Sequence, residues 1–72
     1  MRLCDAKINT KYKIIEVNAP LKMKRRIFDL GCVPNTIISV YAKTKQSSAY
    51  IVRGVVVSID KNIAKCIVVA DV

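Results

Sequence analysis

Few side chains in this 72-residue chain could perform chemistry. It contains no histidine, and the main candidates for an acid, base or nucleophile are its five carboxylates and its three cysteines. Catalysis needs a positioned acid, base or nucleophile, and this supply is small. The carboxylates are Asp5, Glu16, Asp29, Asp60 and Asp71. We therefore expect no enzyme, and we assign no catalytic residue and no cofactor.

The cysteines are the remaining candidates for metal or thiol chemistry. Cys4, Cys32 and Cys66 are odd in number and widely spaced, and they form no CxxC or Cys/His zinc pattern. A stable ferrous site would also need several histidines and carboxylates. We predict three reduced cysteines that behave as small hydrophobic residues and bind no metal tightly. The alternative, a thiolate site, would require paired terminal segments that bring Cys4 and Cys66 together.

Phosphate binding by a glycine-rich loop is also not expected. Gly31 and Gly54 are the only glycines, so no such loop can be formed and the protein should not bind GTP itself.

The chain is strongly basic, with thirteen Lys and Arg against five Asp and Glu and a net charge of +8. Such a charge attracts polyanions and acidic protein surfaces. Only Lys22–Arg26 and the pair Lys43 and Lys45 form dense groups. The other basic residues are scattered along the sequence, which is typical of a solvated surface that resists aggregation.

Nucleic-acid binding is the main rival function, because small basic barrels combine cations with stacking aromatic rings. Tyr41 and Tyr50 lie near Arg53 and two lysines in the sequence and could form such a platform. The aromatic residues do not recur in a recognised pattern, however, and Tyr12, Tyr41 and Tyr50 could equally lie at the rim of a barrel. We expect no specific nucleic-acid partner.

One helix is predicted from Pro20 to Leu30. Met23, Ile27 and Leu30 are spaced i, i+4 and i+7 and share one face, so we expect Ile27 and Leu30 to be buried. Pro20 suits the first helical turn, and Gly31 suits the position after the helix, where a positive φ is favoured.

The rest of the sequence predicts five short strands rich in β-branched residues. Thr44–Ser48 reads as a loop, Asp60–Asn62 as a turn and Gly54 as a bulge or bend. The predicted strands are Tyr12–Val17, Thr36–Lys43, Ala49–Arg53, Val55–Ile59 and Ala64–Val69.

These elements predict one mainly β domain, residues 1–72, with a helix inserted after the first strand. Short strands must protect their edges, and curling the sheet into a small SH3-like barrel closed by the helix achieves this. An OB-like barrel is the alternative, although its helix usually lies between the third and fourth strands. No apolar run approaches the roughly 20 residues that span a bilayer, so we expect a cytoplasmic protein that is not inserted in the membrane.

The chain resembles the FeoA family, ferrous iron transport protein A, along nearly its whole length. The main match is Arg26–Pro34, which resembles the family pattern R-L-x-x-L-G-[LV]-x-P-G. Further matches along the chain are Leu3, a strand ending at Val40, Ile51–Gly54 and Ala64–Val69. It implies an SH3-like barrel, a fold that also occurs at the C-terminus of iron-dependent repressors of the DtxR type.

Three departures from the family pattern affect turns and loops. Asn9 and Asn35 stand where the family has glycine, but asparagine tolerates the left-handed region. Thr44–Ser48 replaces a Pro-Leu-Gly-Asp-Pro loop, and Ile59 and Asp60 replace Leu-Arg. Any role of that arginine in relatives does not transfer to this chain.

The resemblance implies an accessory protein that binds the cytoplasmic GTPase part of the ferrous iron transporter FeoB, and so lies at the inner face of the membrane through its partner. Weak self-association and an association with transition-metal ions are compatible with it, although the residues identify no metal ligands. The alternatives are a nucleic-acid-binding barrel and the barrel of a DtxR-type regulator. The candidate partner-binding residues are Lys22, Lys24, Arg25 and Arg26 on the helix and Lys45 and Gln46 in the loop.

Overall fold

A computed structural model describes residues 1–72 as five strands, two α-helices and one short 3-10 turn. The longer helix follows the first strand, which confirms the mainly β class and the predicted place of the helix. The order is the 3-10 turn Leu3–Asp5, β1 (Lys11–Val17), α1 (Leu21–Asp29), β2 (Ile37–Lys43), β3 (Ser47–Val52), β4 (Val55–Asp60), α2 (Lys61–Ala64) and β5 (Ile67–Asp71).

The strands form one antiparallel sheet in the order β4-β3-β2-β1-β5. Irregularities between Ile14 and Glu16 in β1 and between Val40 and Ala42 in β2 bend the two central strands around the core. β4 and β5 remain the edges, so the SH3-like barrel is not closed by a hydrogen-bonded seam. A single bridge from Arg2 to Val68 partly covers the β5 edge.

The core is a cluster of fifteen buried side chains, all apolar or aromatic. Alternate strand residues point into it, as the pattern buried-exposed-buried along β1 shows. Tyr12 and Tyr50 belong to this core, so their suggested place at the barrel rim is wrong, while Tyr41 is exposed. Leu3 and Ala6, for which the sequence predicts no element or core position, are fully buried and complete the core from the N-terminal segment.

The end of α1 is closed by backbone hydrogen bonds around Gly31. The amide of Cys32 donates to the carbonyl of Ile27 (3.3 Å) and the amide of Gly31 to that of Phe28 (2.9 Å), which is the Schellman arrangement. Gly31 has φ +96°, as predicted for a residue in this position. Ile27 and Cys32 are both buried, so the same closure brings two apolar side chains into the core.

The helix buries less of its apolar face than the spacing predicted. Ile27 is 1% exposed, but Leu30 is 40% exposed, so its expected burial is wrong. Leu30 is the C-terminal cap, where the chain already turns away from the helix. Pro20 precedes the first helical residue rather than occupying the first turn, and its carbonyl accepts from the amide of Lys24 at 2.8 Å.

Left-handed backbone conformations shape the tight turns. Asn9 (φ 62°) and Asn35 (φ 75°) adopt them in place of the glycines of the family pattern, as predicted. Arg53 (φ 52°) and Gly54 (φ 78°) form the two-residue turn between β3 and β4. Positive φ at both positions is the requirement of a type I′ hairpin, so Gly54 is a turn residue and not a bulge.

Several element boundaries differ from the sequence prediction. β3 begins at Ser47, so the loop before it is shorter than Thr44–Ser48. The predicted turn after Ile59 is a short helix, α2, because the Asp60 carboxylate accepts from the amide of Ile63 at 2.9 Å and caps it. The last strand consequently begins at Ile67 rather than Ala64.

All three cysteines are free. Cys32 is buried, whereas Cys4 and Cys66 are half-buried. Burial raises the pKa of the Cys32 thiol from 9.0 to about 11, because the thiolate would lose its solvation.

We expect Ile27→Ala to lower the free energy of unfolding by about 2 to 5 kcal/mol, because it leaves a cavity in the core. Leu30→Ala should cost about 1 kcal/mol or less, since much of that side chain is already in water. Urea denaturation of both variants measures the difference. Equal losses would contradict the placement of α1.

We expect Gly31→Ala to destabilise the protein more than Gly54→Ala. Both variants force an alanine into the left-handed region, which costs roughly 1 to 2 kcal/mol. Only at Gly31 would the new Cβ also crowd a neighbour, at 3.3 Å from Val52 Cγ1, whereas nothing lies within 4 Å at Gly54. The difference between the melting temperatures of the two variants measures the effect of this contact. A smaller loss of stability in Gly31→Ala than in Gly54→Ala would contradict the prediction.

We expect iodoacetamide at pH 8 to modify Cys4 and Cys66 in the native protein and to spare Cys32. A pKa of about 11 leaves roughly one Cys32 thiol in a thousand ionised at that pH. Mass spectrometry should therefore show two modified cysteines before denaturation and three in urea. Rapid native modification of Cys32 would contradict its burial.

Candidate partner-binding surfaces

The basic residues of α1 do not form one continuous patch. Lys22 and Arg26, one helical turn apart, flank a shallow groove between α1 and α2. Pro20, Met23 and Ile63 complete the lining, and the groove encloses about 380 Å³. Met23 and Ile63 are half-buried, so the floor of the groove is apolar and its sides carry two positive charges.

The other two candidate cations of α1 lie outside this groove. The Lys24 ammonium sits 5.8 Å from the centre of the Phe28 ring, a cation–π distance. Arg25 is exposed and does not line the groove. The structure therefore brings together Lys22 and Arg26 and separates them from Lys24 and Arg25.

The loop before β3 is held in shape by its own backbone and side chains. The amide of Thr44 donates to the carbonyl of Ser47 (2.8 Å), and the amide of Ser47 donates to the Thr44 hydroxyl (3.0 Å). Lys45 and Gln46 are exposed at the tip. The Gln46 carbonyl accepts from the amide of Lys61 at 3.0 Å, which fastens the loop to the start of α2.

α2 lies between the two regions that carry the candidate partner-binding residues, α1 and the loop before β3. Ile63 lines the groove beside α1, while Lys61, two residues earlier, lines a separate cavity that also includes Lys45. Neither residue carries a binding prediction from the sequence, because the pattern there predicts a turn at Asp60–Asn62 and no helix. Asp60 before an apolar position three residues later was the available signal, since aspartate is a preferred helix cap.

The structure disfavours the stacking platform that the alternative function, nucleic-acid binding, would require. Tyr41 is 60% exposed, but Tyr50 is 1% exposed and its ring belongs to the core. Only one of the two rings could stack on a base.

No group of three or more His, Cys, Asp or Glu residues is arranged to hold a metal ion. No helix has both the length and the apolar composition needed to cross a bilayer.

A family model described as the FeoA domain matches residues 1–71. No curated protein matches the chain by sequence. Among solved structures, a FeoA-like protein from Clostridium acetobutylicum is 32% identical with a TM-score of 0.89, and the match covers 99% of this chain and 85% of that chain.

Two further structures share the fold. The FeoA protein from Chlorobium tepidum is 23% identical with a TM-score of 0.89, and the match covers 99% of this chain and 70% of that one. A manganese-dependent transcriptional repressor is 15% identical with a TM-score of 0.91, and the match covers 100% of this chain and 41% of the repressor. The likeness to the repressor concerns the fold alone. The family match over residues 1–71 and the Clostridium structure agree with the resemblance seen in the sequence, and the chain belongs to the FeoA family of ferrous iron transport.

Proposed function

We propose that this protein is a non-enzymatic accessory protein of ferrous iron uptake that binds the cytoplasmic GTPase part of the transporter FeoB. Membership of the FeoA family supports a role in iron transport. The observation that carries the binding proposal is the apolar groove between α1 and α2, with Lys22 and Arg26 on its sides.

The groove has the two components of a protein-binding site. Its apolar floor at Met23 and Ile63 can bury an apolar side chain of the partner, and such central anchors supply most of the affinity in protein interfaces. Lys22 and Arg26 at the rim can orient acidic residues around that anchor, and the net charge of +8 accelerates the approach to an acidic surface. The complementary partner surface is therefore an exposed apolar residue surrounded by carboxylates.

A binding role fits the structural positions of two side chains that could otherwise take part in catalysis. Asp60, the replacement for a family arginine, is engaged in capping α2. Cys32 is buried, and the raised pKa of its thiol favours the unreactive protonated form. The protein would act in the cytoplasm, at the inner face of the membrane, through its partner.

We expect Lys22→Glu combined with Arg26→Glu to weaken binding to the isolated cytoplasmic GTPase domain of FeoB by about tenfold or more, equivalent to about 1.4 kcal/mol. Charge reversal at the rim would repel the carboxylates that the groove attracts. Isothermal titration at physiological salt measures the affinity.

The matched control is Lys11→Glu with Lys13→Glu, which changes the net charge equally at exposed positions of β1. Equal weakening by both pairs would mean that only overall charge matters and would contradict the groove as the docking site. DNA and RNA are titrated in parallel, and salt-sensitive binding alone is discounted because a net charge of +8 produces it. A sequence-selective nucleic-acid complex, without transporter binding, would replace this proposal with the nucleic-acid one.

A further inference from the structure

A second concave site lies on the other side of α2. It is a cavity of about 130 Å³ between the loop before β3, the start of α2 and the N-terminal 3-10 turn. Three lysines, Lys43, Lys45 and Lys61, and the hydroxyl residues Ser47, Ser48 and Tyr50 contribute to its lining, which contains no Asp or Glu. We propose that this cavity binds a compact, doubly charged oxyanion of the size of inorganic phosphate, independently of the transporter contact.

One of the lysines is fixed in place from within the protein. The Lys43 ammonium donates to the backbone carbonyls of Ala6 (2.6 Å) and Cys4 (3.3 Å). These bonds use two of the three N–H donors of the ammonium group. The cavity lining contains no carboxylate that would neutralise its positive charge. Lys43 thus provides a positioned cation and a remaining donor. All three lysines are exposed, and Lys45 and Lys61 can close on an anion.

The hydroxyl groups supply neutral donors beside these cations. Burial raises the pKa of the Tyr50 hydroxyl, because the phenolate would lose its solvation. Tyr50 therefore keeps its proton at neutral pH and remains a donor. Charge-assisted hydrogen bonds from ammonium groups together with hydroxyl donors are the usual contacts of phosphate oxygens.

The wall of the cavity is already ordered without a ligand. The bonds between Thr44 and Ser47 fix the turn, and the bond from the Lys61 amide to the Gln46 carbonyl fixes the turn against α2. Binding therefore has little loop entropy to overcome, which favours affinity for a small ion.

The volume restricts the ligand to a small one. Cavities that hold whole cofactors or drug-sized molecules usually measure about 300 Å³ or more. A space of about 130 Å³ admits a single oxyanion with water, but not a nucleotide. Three neighbouring ammonium groups favour a divalent over a monovalent anion, because the Coulomb energy scales with the ligand charge.

The test is a titration of the full ¹⁵N-labelled chain with sodium phosphate, with sodium chloride adjusted to hold the ionic strength constant. We expect saturable amide shifts at Ser47, Ser48 and Lys61, and a much weaker response to sodium acetate. Acetate binding as tight as phosphate binding would overturn the preference for a divalent anion. Shifts that do not saturate, or that spread over all lysines, would overturn the site.

Variants separate the cavity from overall charge. We expect Lys45→Gln with Lys61→Gln to weaken phosphate binding about tenfold or more, while Lys11→Gln with Lys13→Gln, which removes the same charge from β1, leaves it unchanged. The Lys61 amide bond to Gln46 does not depend on the side chain, so the loop should stay in place. Ser48→Ala is a second variant that removes a donor without changing charge, and it should also weaken binding. Equal effects of both lysine pairs, or no effect of either cavity variant, would refute the proposal.

Discussion

The left-handed turn at Gly31 is the constraint on which the arrangement of the helix depends. α1 has one fully buried side chain, Ile27, and two half-buried ones, Met23 and Phe28, that pack against the core. The hydrogen bonds of Cys32 and Gly31 to the last turn fix the direction in which the chain leaves the helix. An ideal Cβ at Gly31 would lie 3.3 Å from Val52 of β3, so the turn also holds the helix end against the sheet. The groove between α1 and α2 exists only in that orientation.

α2 is the second element that organises the surface, although it has only four residues. Its cap, Asp60, is the acidic residue that stands where the family pattern has arginine, and it is used to begin this helix. Ile63 then faces the groove beside α1, and Lys61 faces the cavity beside the loop. One helical turn thus joins an apolar groove and a basic cavity.

The interior of the molecule is apolar, and its charged side chains lie at the surface. All fifteen buried residues are apolar or aromatic, and no buried polar side-chain atom lacks a hydrogen-bond partner. Cations are excluded from the core, and one of them, Lys43, instead fastens the N-terminal segment by donating to the carbonyls of Cys4 and Ala6. Function is therefore expected at the surface, where charge and shape can vary without disturbing the packing.

Local sequence signals determined the five strands, the helix after β1 and the left-handed turns at Asn9, Gly31 and Asn35, because propensity, periodicity and positive φ depend on neighbouring residues. Tertiary structure alone decided that Leu30 stays exposed, that Tyr50 enters the core and that the barrel remains open between β4 and β5. It also decided which cations meet, since Lys45 and Lys61 are brought to one cavity by the pairing of β3 with β4. Burial and contact depend on which distant segments pack together, and spacing along the chain does not encode that information.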